Sequence, residues 1–355
     1  MSFAWPLRGQ FGHWWGALIP GAAAAVCIAL IHPDPCGRSL FAQAVILGSL
    51  GFALGGENIP YGKLILKVMD APSMTDVTAE LGIIFFIGAS WGALGMTLLG
   101  LAAAEKRMPA SAFGGFVWVG AATLAAVSFM DVDRFEGSAA LFWLILAHGY
   151  NFFFLKSRLV RLFSAYGIFG FGLGFLTAVL LLFFGRRGQI PGTWWVLRDQ
   201  IFGGIGGIFL GLAILHGIRR QLAPAVRSDL RIERPGFVFF TVFIPGVNAC
   251  DAAVKWLANA SGLDPFFSLI ILTAYALPLV FFGVYFLKAD PARFSDSASD
   301  RLLIRSSLYF FWYLSFLAIS KSVLYSGWNS WEGAFSLFLA HAAILTFVLP
   351  QFAVK

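Results

Sequence analysis

The residues with the most chemistry lie at the end of an apolar run, in Gly55-Gly56-Glu57-Asn58-Ile59-Pro60-Tyr61-Gly62-Lys63. This segment gathers a carboxylate, an amide, a phenol and an ammonium. Gly55 and Gly56 allow backbone geometries that end a helix, and Pro60 blocks its simple continuation. A helix that ends inside a membrane protein turns unpaired carbonyls and polar side chains toward a cavity, as substrate sites of transporters do. In that role Glu57 carries a proton or meets a cationic or hydroxylated solute, Asn58 adds an amide, Tyr61 stacks on a ring, and Lys63 pairs with Glu57 or with a solute anion. The plainer alternative is a span-to-loop turn with solvated charges.

Two further groups sit within apolar runs, where an ionisable side chain costs at least about 2.5 kcal/mol on insertion scales. His148 and Asn151 are three apart and share a helix face, which suits proton relay or a hydroxylated ligand and equally an ordinary interhelical hydrogen bond. Asn248, Asp251 and Lys255 follow Pro245-Gly246. Asp251 and Lys255, at i and i+4, would neutralise one another as a local ion pair; the sharper reading is a second broken helix hinged at Pro-Gly. Lys321 is expected to snorkel outward, His341 to be a satisfied core histidine, and His216 to be scaffolding at the membrane boundary.

The elements that must carry these residues follow from composition. The 355-residue chain is 59% hydrophobic and only 12% charged, against about 25% charged in soluble domains. Apolar runs of about 17–25 residues recur, each long enough to cross a hydrocarbon core of about 30 Å. Lipid offers the backbone no hydrogen-bond partners, so these runs are helices unless they alternate as barrel strands do, and they do not alternate. The expected fold is an all-α, polytopic helical membrane protein forming a single domain over 1–355. About eleven transmembrane helices are expected, at 14–31, 40–56, 81–104, 110–130, 138–155, 163–185, 200–218, 236–257, 265–287, 303–325 and 333–352, with an interfacial segment over 61–69.

The net charge of +7 comes from loops, with no extramembrane stretch long enough for a binding domain, so nucleic acid is excluded as a partner. Arg38, Lys106, Arg107, Lys156, Arg158, Arg161, Arg219, Arg220, Arg227, Arg231, Arg234, Lys288, Arg293, Arg301 and Arg305 all follow odd-numbered spans. The positive-inside rule then sets the N-terminus outside and the C-terminus inside. Trp14, Trp15, Trp194, Trp195, Trp328 and Trp331 fall near outer ends, as an aromatic belt requires. The Ala-, Gly- and Arg-rich composition suggests a bacterial cytoplasmic membrane.

Repetition is hinted at. Trp15-Gly16-Ala17-Leu18 returns as Trp91-Gly92-Ala93-Leu94, and glycines five apart recur at Gly16 and Gly21, Gly95 and Gly100, and Gly206 and Gly211. Arg8-x-Gln10 precedes the first span as Arg198-x-Gln200 precedes the seventh. All three glycine-rich spans run the same way, so a duplication would be parallel; the bland reading is close helix contact through small residues. The glycines before Tyr61-Gly62-Lys63 resemble the second-to-third-span loop of major facilitator transporters, but that signature's Asp-Arg pair is absent and the family is not assigned.

Cys27, Cys36 and Cys250 form no metal-ligand or redox spacing. Metalloprotease, nucleophile-elbow, phosphate-loop and haem motifs are absent, so no cofactor and no metal are expected. The favoured reading is a secondary transporter or permease for a small polar solute, lined by Glu57, Asn58, Tyr61, Lys63, His148, Asn151, Asp251 and Lys255. Two alternatives stand beside it. One is an intramembrane acyl- or glycosyl-transferase using a lipid-linked donor, with Glu57 or His148 as base. The other is a structural subunit of a membrane complex. The expected partners are the lipid bilayer and the solute, and a homo-oligomeric or membrane-complex partner is compatible with the same composition.

Overall fold

The computed structural model describes residues 1–11, 15–31, 40–56, 61–104, 149, 156–188, 194–220, 230–259, 265–288, 296–326 and 343–349. Among them the chain is helical, with no strand. In chain order the helices are α1 (Ala4–Phe11), α2 (Leu18–Ile31), α3 (Phe41–Gly56), α4 (Tyr61–Asp70), α5 (Met74–Ala102), α6 (Arg158–Arg187), α7 (Trp194–Arg219), α8 (Leu230–Val238), α9 (Ile244–Asn259), α10 (Pro265–Lys288) and α11 (Asp296–Ser326). A π-turn over Phe239–Phe243 joins α8 to α9.

Six stretches are long and apolar enough to cross a membrane: α5, α6, α7, the joined α8–α9 over Glu233–Lys255, α10 and α11. That is the architecture of a multi-pass membrane protein. α2 and α3 are apolar but shorter, at 14 and 16 residues. At about 1.5 Å per residue they reach less than the full hydrocarbon thickness. The expected span 110–130, all of 138–155 but Gly149, and most of 333–352 lie outside the described residues.

Boundaries moved where polar residues extend a helix beyond the hydrophobic run. The third span, expected from residue 81, begins at Met74 because Ser73 and Asp76 form a capping box: Asp76 N–H donates to Ser73 Oγ at 3.3 Å and Ser73 N–H to Asp76 Oδ2 at 3.2 Å. These contacts satisfy helix-start donors that otherwise have no partner. Ser73 also donates its hydroxyl to Asp76 Oδ2 at 2.6 Å. The sixth span likewise starts earlier, at Arg158, behind Ser157 as N-cap. The seventh begins at Trp194, which makes Arg198 and Asp199 helical residues where the sequence had placed the Arg198 segment before the span. The tenth starts at Asp296 and not at 303.

The segment expected at the interface is a ten-residue helix, α4, with Leu64, Ile65 and Val68 buried and Leu66 exposed. Lys67 forms an ion pair with Glu80 of α5, and Arg187 of α6 donates to the carbonyl of Ala71. Both contacts hold the α4–α5 corner.

The π-turn replaces the broken helix considered at Pro245-Gly246. Pro245 has no N–H, and just ahead of it Ile244 N–H donates to Phe239 O. The helix accommodates the proline by a register change and does not unwind. Thr241 fills part of the altered ladder by donating its hydroxyl to Phe237 O at 2.7 Å.

The most extensive helix pairings run α2–α3–α5–α6–α7. Glycines set their spacing. Gly92 of α5 and Gly167 of α6 face one another so closely that a Cβ on either would meet the other's carbonyl, the close approach that small residues permit between membrane helices. Gly21 of α2 meets the backbone of Gly48 and Ser49 in α3 in the same way. The glycine pairs five apart that hinted at repetition do not play matching parts: Gly206 lies against the Phe171 ring, Gly95 against Phe52, and Gly211 has nothing within 4 Å.

The largest departure from the sequence reading is α1. The first expected span begins at residue 14, yet Phe3, Ala4, Trp5, Leu7 and Phe11 ahead of it are buried. α1 packs on four helices distant in sequence, α7, α2, α11 and α9. Its Trp5, 1% exposed, meets rings from four other helices: Phe52 (6.1 Å between centroids), Trp91 (5.3 Å), Phe171 (6.1 Å) and Phe202 (4.3 Å). A tryptophan buried so completely dominates local core energetics through its area.

Candidate binding site

Glu57, Asn58, His148 and Asn151 lie outside the described residues. Tyr61 and Lys63 open α4, but their side chains lie outside the description as well. Of the expected site residues, the structure therefore gives side-chain geometry for Asp251 and Lys255 alone. These two form the local ion pair, Nζ to Oδ2 at 2.7 Å, and the structure adds a third member. Lys321 Nζ of α11 lies 3.7 Å from the same carboxylate oxygen and donates to the backbone carbonyl of Gln10 at the end of α1. Its ammonium also stands 5.8 Å from the Phe11 ring centroid. Lys321 does not snorkel freely outward: its side chain is 15% exposed and ties α11 to α1 and α9. Asn248 reinforces the junction by donating to Trp15 O at 3.3 Å and Ile244 O at 2.8 Å.

Residues of α1 also line a polar cavity. It encloses about 370 Å³ and is lined by Pro6, Arg8, Gly9 and Gln10 of α1, Gly62 and Ile65 of α4, and Trp195, Val196, Arg198 and Asp199 of α7. Thus the helix that begins within the polar Gly55–Lys63 motif contributes wall residues to it. Arg8, Arg198 and Asp199 are 5%, 7% and 7% exposed, unusual for charged residues, which are almost never so buried unless paired.

Each arginine is held by aromatic faces. Arg8 Cζ lies 5.3 Å from the Trp91 ring centroid and 6.0 Å from that of Trp5, and Arg198 Cζ lies 4.7 Å from that of Trp195. These are cation–π distances. Arg198 also donates from Nε at 2.8 Å and from an Nη at 2.5 Å to a single oxygen, Oδ1, of Asp199. Neighbouring residues on a helix do not ordinarily face one another; here both side chains turn into one crevice, leaving Asp199 Oδ2 beside Gly9. A Cβ at Gly9 would sit 2.8 Å from that oxygen.

Sequence reasoning missed this site because Arg8 and Asp199 fell outside the expected spans. One signal was present in the matched Arg8-x-Gln10 and Arg198-x-Gln200. In space the two segments face each other, with Ser2 Oγ donating to Gln200 O at 2.9 Å. His216 fits the scaffolding expectation, its Nδ1 lying 3.1 Å from Tyr166 Oη across the α6–α7 contact. Among the described residues no three His, Cys, Asp or Glu side chains gather as a metal site would require.

The fold and this cavity define a multi-pass membrane protein with a buried, charged crevice at one end of its helices. Compared with family models, with curated proteins and with solved structures, the chain finds no match in any of the three.

Proposed function

We propose that the protein is a secondary transporter or permease for a small polar solute, bound in the cavity between α1, α4 and α7. The observation that carries the reading is the set of three charged side chains, Arg8, Arg198 and Asp199, buried around an open volume of about 370 Å³. Burying charge is costly unless paired, and an intramembrane or membrane-boundary charge is by default a functional group. The volume is at the small end of the roughly 300–1,000 Å³ common for ligand pockets. Close glycine contacts between α5 and α6 and between α2 and α3 supply the helix surfaces that alternating access would slide. The π-turn before α9 supplies an element of irregular register of the kind found at functional sites.

The proposal includes the wider topology. The six long apolar helices, the shorter α2 and α3, and the sequence runs at 110–130, 138–155 and 333–352 bring the crossings to about eleven. The charge bias of the loops supports an outside N-terminus and an inside C-terminus in a bacterial cytoplasmic membrane. In that topology the ends of α1, α9 and α11 and the starts of α4 and α7 share the outer face. The contacts of Gln10 with Lys321, and of α1 with Gly62 and Arg198 around the cavity, support that shared placement.

The test is reconstitution. Sugars, amino acids and organic ions would first be ranked by thermal stabilisation of the purified protein, since a ligand that binds the folded state raises its melting temperature. The best would then be offered, radiolabelled, to proteoliposomes. Uptake or counterflow that is lost in Arg198→Ala is the expected result; a solute that stabilises the protein yet never crosses the vesicle membrane sinks the transport reading. The transferase alternative draws on a separate observation, an apolar groove of about 680 Å³ between α10 and α11 lined by Leu277, Phe281, Tyr309, Trp312 and Phe316 among others, suited to the chain of a lipid-linked donor.

A further inference from the structure

Resting on the reading of this cavity as a solute site, we propose that its ligand is a small carboxylate with a hydrogen-bond donor on the adjacent carbon, the pattern shared by amino acids and hydroxy acids. The argument begins with Arg198. Its Nε and one Nη both point at Asp199 Oδ1, at 2.8 and 2.5 Å, and its face rests on Trp195 at 4.7 Å. The guanidinium plane is therefore fixed before any ligand arrives. The remaining Nη makes no hydrogen bond among the described residues, and neither does Asp199 Oδ2. Neither atom belongs to the fully buried polar atoms left without a partner, so both keep access to space, and both residues line the cavity.

The site thus offers a charged donor and a charged acceptor side by side. A planar guanidinium is matched best by a carboxylate, and such charge-assisted bonds are about twice as strong as neutral ones. Beside it, Asp199 Oδ2 asks for an N–H or O–H from the same ligand. An ammonium or hydroxyl on the carbon next to a carboxylate meets both at once. Chloride or sulfate brings no donor for Asp199, hydrogen phosphate brings only a hydroxyl on the charged group itself, and a neutral sugar brings nothing that uses the charge of Arg198. Pro6, Ile65 and the Trp195 ring complete the wall and suit a short aliphatic or flat side chain.

Gly9 supplies the decisive perturbation. A Cβ there would come within 2.8 Å of Asp199 Oδ2, and the obstacle is the end of a side chain, which can shift. Gly9→Ala should therefore displace the acceptor while leaving both charges in place. Calorimetric binding to the purified full chain would compare alanine, lactate and propionate, which share three carbons and differ in the donor, with inorganic phosphate as a further probe. Alanine or lactate should bind at least tenfold tighter than propionate. Arg198→Lys, which keeps the charge but loses the planar fork, should weaken every carboxylate at least tenfold. Gly9→Ala should shrink the preference for donor-bearing acids over propionate; if Arg198→Lys fails to fold, this variant carries the test. Equal binding of propionate, tighter binding of phosphate, or an unaltered preference in Gly9→Ala would overturn the proposal. The two readings separate cleanly. A non-carboxylate whose binding and uptake depend on Arg198 keeps the transporter and removes the carboxylate. Lactate or alanine that binds as described but is never moved into proteoliposomes does the reverse.

Discussion

Replacing Gly92 by alanine isolates what holds the α5–α6 pair together. A Cβ at Gly92 would lie 2.5 Å from the carbonyl carbon of Gly167 and 2.8 Å from Phe171 Cβ. Ordinary contact begins near 3.4 Å, so the helices must part by about 1 Å at their closest point, because the first obstacle is backbone and cannot rotate away. A gap of that size forfeits about a quarter to a half of the dispersion energy of each affected contact, and overpacking of this kind costs about 1–3 kcal/mol. Alanine returns up to about 1 kcal/mol of helix propensity, and because the obstacle here is backbone the cost falls at the upper end of that range, which leaves a net loss of up to about 2 kcal/mol. Gly82→Ala, on the same helix with nothing within 4 Å, receives only the propensity gain and should be neutral or stabilising. The assay is unfolding of the detergent-solubilised protein, followed by loss of a Trp signal or by steric trapping, for both variants side by side. The reasoning fails if Gly92→Ala is as stable as the parent, or if Gly82→Ala loses as much.

Two further predictions follow from the junction at α1 and from the α5 cap. Lys321→Met removes a part-buried hydrogen bond from a charged donor to the Gln10 carbonyl and the contact with Asp251 and should cost about 1.5–3 kcal/mol, the range for hydrogen bonds to charged groups, whereas Lys255→Met, whose side chain is 40% exposed, should cost less than about 1 kcal/mol. Melting curves of the two single variants, and of the double variant for coupling through Asp251, check the ranking. Ser73→Ala removes the capping box of α5 and should cost about 1 kcal/mol, read out as faster hydrogen exchange over residues 74–78 with the centre of the span unchanged.

Much of the architecture was legible because lipid leaves the backbone few choices. Length and hydropathy alone located α5, α6, α7, α10 and α11 to within several residues. The errors cluster where polar residues continue a helix past the apolar run. Thr75, Asp76 and Glu80 lower the hydropathy of the first turns of α5, yet Ser73 and Asp76 are what start it. Likewise, Pro245-Gly246 reads as a break, but a π-turn absorbs the missing N–H, and no composition rule distinguishes the two outcomes. α1 is the hardest case: eight residues with an arginine are too few and too polar for any spanning pattern. They are buried because Trp5 fits among rings contributed by α3, α5, α6 and α7.

The site shows the same limit from the chemical side. Glu57 stands out in sequence at the end of an apolar run and Asp251 within one, whereas Arg198 and Asp199 fall just before the expected seventh span. What distinguishes the latter pair is burial at 7% each, and that depends on α1 closing over the start of α7. The matched Arg-x-Gln segments hint in sequence at duplication, beside the plainer reading of close helix contact. Their contact across the cavity gives them a different meaning, since two segments that pack face to face can carry like residues without common descent. α1 also links the ion pair of α9 to the cavity: the Gln10 carbonyl accepts from Lys321, which lies beside Asp251, while Gln10 lines the cavity with Arg8, Gly62 and Arg198. Gly62 of α4 and the ion pair of α9, separated by almost two hundred residues of sequence, are therefore linked through a helix that hydropathy could not reveal.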